Sequence, residues 1–187
     1  MKKVLIMVAG FMALGLMFGV KNAVAEESGN NGKILIAYYS YSGNTQKVAE
    51  AIHEKIGGDL FRIETVESYP QDYSELLHQA KMELANRYHP KLKAKVKNIN
   101  DYDVVFIGSP NWWGNITAPV SSFIAETDLR GKRVIPFITH GKGGTQYTIK
   151  GMQKQCTECN FEERGWSGFG GRTWGISGWL NEIGFKN

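Results

Sequence analysis

Cysteine is nearly absent: the chain has two in 187 residues, Cys156 and Cys159, spaced Cys-Thr-Glu-Cys. That excludes a disulfide-stapled scaffold and leaves half a zinc site with no second pair to complete it. A P-loop is excluded as well, because Gly43-Asn44-Thr45 has no lysine before its threonine. No Gly-x-Ser-x-Gly elbow occurs, which removes serine hydrolases of that type. The first apolar run of the domain ends in Tyr38-Tyr39-Ser40, not in the clustered aspartates of a phosphoacceptor domain. There is no low-complexity tract and no internal repeat. Nor does one sign of charge dominate. The formal net charge is +4; without Lys2, Lys3 and Lys21 it becomes 19 basic against 18 acidic residues, or +1, so no nucleic-acid surface is expected.

What is present begins with an export signal. Met1-Lys2-Lys3 is a basic start, Val4–Val20 is almost wholly apolar, and Ala23-Val24-Ala25 fits a small-residue cleavage site. The expectation is a signal peptide over 1–25. The alternative is an uncleaved anchor, since the apolar run is near the short limit for a span. Either way the lysines stay inside and the domain lies outside, periplasmic, secreted or anchored; a membrane partner is expected only if the segment stays uncleaved. No twin-arginine pair and no following cysteine occur, which favours a Sec-type route and argues against a lipoprotein. In an oxidising compartment Cys156 and Cys159 are expected as a small structural disulfide; a redox dithiol and a free pair are the alternatives.

Residues 26–32 form a polar linker, and 33–187 read as one domain of alternating strands and helices. Strands are expected at Ile34–Tyr39, Leu60–Thr65, Val104–Gly108, Val134–Thr139 and Phe161–Gly165. Helices are expected at Thr45–Ile56, from Asp72 (with Glu75 as a capping box) to Pro90, at Pro119–Glu126, from Gly144 to about Gln155, and at Thr173–Ile183. Pro136 is a local conflict, because proline removes a ladder donor from the strand assigned to it. The uniformly apolar strands near Ile34 and Val104 belong in the middle of a sheet, and the mixed ones near Leu60 and Phe161 at its edges. Five βα units in that pattern give an α/β three-layer sandwich, a five-stranded parallel sheet of order 2-1-3-4-5, whose ligand crevice lies where strands 1 and 3 diverge.

Three loops should line that crevice. Ser40-Tyr41-Ser42-Gly43-Asn44-Thr45 sits between a strand's carboxyl end and a helix's amino end, where free N–H groups and the dipole attract an anion. Its hydroxyls and amide add donors, and Gly43 admits close approach. It has no Lys or Arg, so a phosphate held by neutral donors is the first reading. The second loop is Ser109-Pro110-Asn111-Trp112-Trp113-Gly114, and the third Thr139-His140-Gly141-Lys142-Gly143-Gly144. Adjacent loop tryptophans are a solubility liability unless they cover something flat, so a flat ring with a phosphate tail fits all three.

With these segments the chain resembles the flavodoxins, in particular those with a Pro-x-Trp-Trp-Gly loop and a Thr-His-Gly-type loop. The resemblance spans roughly Lys33–Phe185 and implies non-covalent FMN. Carried over by position, Ser40–Thr45 would hold the phosphate; Pro110, Asn111, Trp112, Trp113 and Gly114 would flank one side of the isoalloxazine. Thr139, His140, Gly141, Gly143 and Gly144 would contact its other side and pyrimidine edge. The near-neutral charge and the export signal depart from the family's usual acidic carriers.

The function implied is electron transfer between redox partners, protein or small-molecule, with no catalytic residue of the chain's own. The alternative is an FMN-dependent NAD(P)H- or quinol-linked reductase of small acceptors, with the basic stretch Lys91–Lys97 and Trp112/Trp113 over a substrate pocket. Plain structural roles compete at every position: loop hydroxyls as turn formers, Trp112 and Trp113 as core, His140 as a solvated side chain. His53, His78 and His89 are expected in solvent, and Tyr69 and Tyr73 against the sheet, with a place capping the crevice as the alternative.

Overall fold

The computed structural model describes residues 32–145 and 147–186. The expected export segment and all but the last residue of the 26–32 linker lie outside the described residues. Among the described residues six strands and five α-helices follow one another: β1 (Ile34–Tyr38), α1 (Asn44–Ile56), β2 (Asp59–Arg62), α2 (Tyr73–Asn86), β3 (Val104–Pro110), α3 (Ala118–Glu126), β4 (Arg133–His140), α4 (Thr148–Gln155), β5 (Asn160–Phe161), β6 (Trp166–Phe169) and α5 (Ile176–Glu182). All strand pairs are parallel, in the order β2-β1-β3-β4-β5, with β6 also on β4.

Burial follows the apolar pattern. All five residues of β1 are buried, and so is β3 from Val104 to Ser109, because helices cover both faces of these central strands. One face carries a core of Leu35, Ile63, Val105, Ile107, Phe123 and Met152 beneath α2, α3 and α4. The other joins Ile36, Ile52, Phe106, Ile135, Phe137 and Leu180 beneath α1 and α5. β2 is largely exposed, as an edge strand should be. Helix α2 starts where the capping pair requires, with Asp72 Oδ1 accepting from the Glu75 N–H at 2.9 Å. It ends at Asn86, with Arg87 in the left-handed region (φ +50°), before Pro90 is reached.

The expected last strand is corrected by the structure. The fifth sheet position holds two short strands, Asn160–Phe161 and Trp166–Phe169, and residues 162–165 between them leave the ladder. β5 pairs with Arg133 and Val134, and β6 with Phe137–His140, so Pro136 falls opposite the gap. The donor that proline lacks is one that no outer neighbour needs there, which resolves the conflict. Glu162 closes this break. It accepts from Arg133 Nη2 at 2.9 Å and Arg164 Nε at 2.9 Å, while Arg133 also donates to the Ile183 carbonyl at 2.6 Å. The Arg164 bond first, and Arg133 with it, hold its carboxyl down to about 2 against the opposing effect of burial.

Cys156 and Cys159 are disulfide-bonded just after α4, with Cα atoms 5.6 Å apart. Among the described residues no helix is long and apolar enough to cross a membrane.

Candidate functional site

The loops leaving β1, β3 and β4 meet at the carboxyl end of the sheet and are bonded to one another. Thr45 and Thr139 share a buried hydroxyl–hydroxyl bond of 2.8 Å, tying the first loop to the third. The Asn111 N–H donates to the Thr139 carbonyl at 2.7 Å, and its side-chain amide donates to the Gly144 carbonyl, tying the second to the third. These partners are far apart in sequence, and the sheet order is what brings them together.

In the first loop Gly43 takes φ +82° at the amino end of α1, a backbone region that a side chain would strain. The Gln46 N–H goes to Ser40 Oγ at 3.2 Å and the Lys47 N–H to the Gly43 carbonyl at 3.1 Å. Among the described residues no backbone carbonyl outside the helix accepts from Ser42, Gly43, Asn44 or Thr45, and a helix's first turn has no acceptors of its own. Ser42 is exposed and Asn44 half-buried, whereas the Thr45 hydroxyl is committed to Thr139. Ser40 keeps its own O–H as a donor. Arg62, at the end of β2, grips this loop from below: its guanidinium donates to Gln46 Oε1 at 2.9 Å and to the Ser40 carbonyl at 3.3 Å.

The second loop is a tight turn. Trp112 and Asn115 exchange both backbone bonds at 3.0 Å, with Trp113 (φ +53°) and Gly114 (φ +78°) at its tip, the φ pattern of a type I′ turn. A tryptophan in that region is strained, and the turn sends its two indoles apart. Trp112 is half-buried and meets Tyr39, Tyr69 and Tyr41 edge-on, with ring centroids 5.8, 5.3 and 6.0 Å away. Trp113 is 52% exposed and its Nε1 donates to the Leu77 carbonyl of α2 at 3.2 Å. Tyr69 is buried and donates to Glu83 Oε2 at 2.7 Å; Tyr73 is exposed, not packed on the sheet. Burial first, then this bond, raises the Tyr69 phenol above its ordinary value, and burial followed by Glu83 raises that of Tyr39. Both phenols stay neutral across the physiological range.

The third loop has Thr139 buried, His140 half-buried with Nδ1 against the Gly141 carbonyl at 2.7 Å, and Gly141 and Gly143 exposed. A Cβ at Gly43, Gly114, Gly141, Gly143 or Gly144 would meet no atom within 4 Å, so the mouth is roomy. Two side-chain atoms next to these loops are buried without a partner among the described residues, Asn111 Oδ1 and Thr148 Oγ1. A buried acceptor left this way is costly, and a ring N–H from a ligand would satisfy it. The donor set at α1 and the orphaned acceptor at Asn111 both fit a flat heterocycle carrying a phosphate. A cavity of about 640 Å³ lies elsewhere, between α2, α3 and α4, and reaches the second loop through Trp112 and Asn115.

A fourth loop belongs to this end of the sheet and was not among the sequence candidates. Residues 170–175 follow β6, with the Gly170 N–H on the His140 carbonyl at 2.9 Å and Gly171 against Asn44 and Lys47 of α1. Its signals were a glycine pair and the Arg172-Thr173-Trp174 triplet, hidden because the last strand was set several residues too early. Residues 91–93 of the basic stretch 91–97 pair with Glu64–Val66, and Lys93 lines a small pocket with Ser40 and Tyr41 of the first loop. His53, His78 and His89 are exposed.

A family model described as flavodoxin matches residues 33–174. The structure is similar to that of a candidate flavoprotein from Bacteroides eggerthii DSM 20697, 32% identical, TM-score 0.74, covering 83% of this chain and 100% of that one. A flavoprotein from Lactobacillus acidophilus NCFM, solved in complex with FMN, shares the fold at 24% identity and TM-score 0.67, covering 79% of this chain and 98% of its own. Among curated proteins, an NAD(P)H dehydrogenase (quinone) of Sinorhizobium fredii is 29% identical over 130 residues, 65% of this chain and 58% of that protein. One of the same name from Archaeoglobus fulgidus is 26% identical over 123 residues, 64% of this chain and 62% of its own length. The chain thus spans about three fifths of the curated relatives it matches.

Proposed function

Because the chain belongs to the flavodoxin family, we propose that it holds FMN without a covalent bond and passes electrons between redox partners outside the cytoplasm. The observation that carries this reading is the meeting of unpaired first-turn donors of α1 with two further loops through Thr45–Thr139 and Asn111–Gly144. The backbone N–H groups of Ser42–Thr45, the Ser40 and Ser42 hydroxyls and the Asn44 amide hold the phosphate. Residues Pro110–Gly114 and Thr139–Gly144 exclude water from the ring, and Asn111 Oδ1 takes a hydrogen bond from its polar edge. FMN, when bound, supplies the one- and two-electron chemistry. The protein binds it, orients it and sets its surroundings through neutral phenols and indoles. Export rests on the basic start, the apolar run and the Ala-Val-Ala site.

A second reading is an FMN-dependent reductase of small acceptors, favoured by the names of the curated relatives. The test uses the full chain loaded with FMN and supplied with NADH or NADPH and a soluble quinone, without a protein partner. The carrier reading expects slow or absent turnover, while the flavin still reduces with dithionite and reoxidises. Sustained nicotinamide-dependent quinone reduction would put the reductase first.

A further inference from the structure

The first loop has no cation of its own; of the cations beside it, Arg62 already donates to Gln46 Oε1 and the Ser40 carbonyl, and two others have no such bond. Lys47 is on the first turns of α1. Arg172 is on the loop after β6. Among the described residues neither lies within 4 Å of a carboxylate, although six other basic–acidic pairs do. The Arg172 guanidinium instead lies against the rings of Phe169 and Trp174, with centroids 5.5 and 5.3 Å away. Trp174 is 80% exposed, so the sandwich is open to solvent and its cation is free to turn. An exposed cation–π contact is weaker than a charge-assisted bond to a phosphate.

The loop itself is fixed. Gly170 is bonded to the His140 carbonyl. A Cβ at Gly171 would stand 3.1 Å from Asn44 Oδ1 and 3.0 Å from Lys47 Cδ, so the backbone of this loop touches the first turn of α1. Arg172 is one residue further on, about 3.8 Å along the chain. Its root is therefore beside the helix terminus that the functional reading gives to the phosphate, while its head is parked on two rings.

We propose that Arg172 is a phosphate-binding residue, supplying from the β6–α5 loop the positive charge that the Ser40–Thr45 loop lacks. Phe169 and Trp174 hold the guanidinium at the mouth when no anion is present, and it transfers to the phosphate when the ligand is seated. This rests on the FMN reading above and adds to it a residue outside the three loops of that reading. It also predicts how the protein separates a phosphorylated flavin from its dephosphorylated form: part of that preference is electrostatic and sensitive to salt.

The test measures the affinities of the flavin-free full chain for FMN and for riboflavin, which share a ring and differ in the phosphate. The quantity read is the ratio of the two dissociation constants. Arg172→Gln should shrink that ratio about tenfold by weakening FMN and leaving riboflavin unchanged, the scale of one charge-assisted contact. Arg172→Lys should restore part of it, and Lys55→Gln, at the far end of α1, should leave it intact. Raising ionic strength should lower the ratio in the wild type and much less in Arg172→Gln. An unchanged ratio in Arg172→Gln, or equal weakening of both flavins, overturns the assignment, the latter because it assigns Arg172 to loop packing. A wild type that binds neither flavin overturns the functional reading itself and Arg172's role with it.

Discussion

Alanine in place of Trp112 should lower the unfolding free energy by about 3 kcal/mol and weaken FMN binding at least tenfold. The indole is the shared neighbour of Tyr39, Tyr41 and Tyr69, each edge-on to it, and behind it Tyr69 is bonded to the buried Glu83. Truncating a large aromatic in a packed setting costs about 3–5 kcal/mol, and Trp112's partial exposure places it at the lower end. The space left would open onto the cavity between α2, α3 and α4, so the surrounding rings have nothing to collapse onto. Urea unfolding of the flavin-free variant isolates the stability effect, and an FMN titration of the same sample reads the site. A midpoint shift equivalent to less than about 1 kcal/mol would show that the tyrosine cluster does not depend on this ring.

Gly108→Ala should cost about as much by the opposite means. Gly108 is in the middle of β3, in register with Phe137 of β4, and the Phe137 ring lies over it where a Cβ would stand. Phe137 is fully buried, so its ring has no solvent to retreat into and the strands must move apart or the ring must leave its rotamer. Overpacking of this kind costs about 1–3 kcal/mol, and the sandwiched position puts this site at the top of that range. Pairing the change with Phe137→Leu should recover much of the loss, giving a clearly non-additive double-mutant cycle by urea unfolding. Strict additivity would mean that the ring and the glycine are not coupled as the packing implies.

The legible parts of this molecule were those whose cause is local. β1 and β3 declared themselves through unbroken apolar runs, and central burial on both faces is what such runs require. Asp72 three residues ahead of Glu75 marked the start of α2, because a cap is a bond between near neighbours. The loop at Ser40–Thr45 was visible because hydroxyls, an amide and a glycine directly precede an amphipathic helix. What stayed hidden depends on contacts between distant residues. The bond between Thr45 and Thr139 spans 94 positions, and that from Arg62 to the Ser40 carbonyl spans 22. The broken fifth strand was misplaced because Trp166-Ser-Gly-Phe169 has no alternation to read, and only pairing with Phe137–His140 makes it a strand. That shift concealed the loop with Arg172. Likewise nothing in two adjacent tryptophans foretold that a tight turn would send one inward and leave the other on α2.

Isothermal calorimetry of the flavin-free full chain with FMN tests the central claim most directly. The expected result is saturable binding of one FMN per chain, with a yellow protein recovered after gel filtration and quenched indole fluorescence. A chain that is folded by circular dichroism, yields no heat with FMN and elutes colourless would contradict the account.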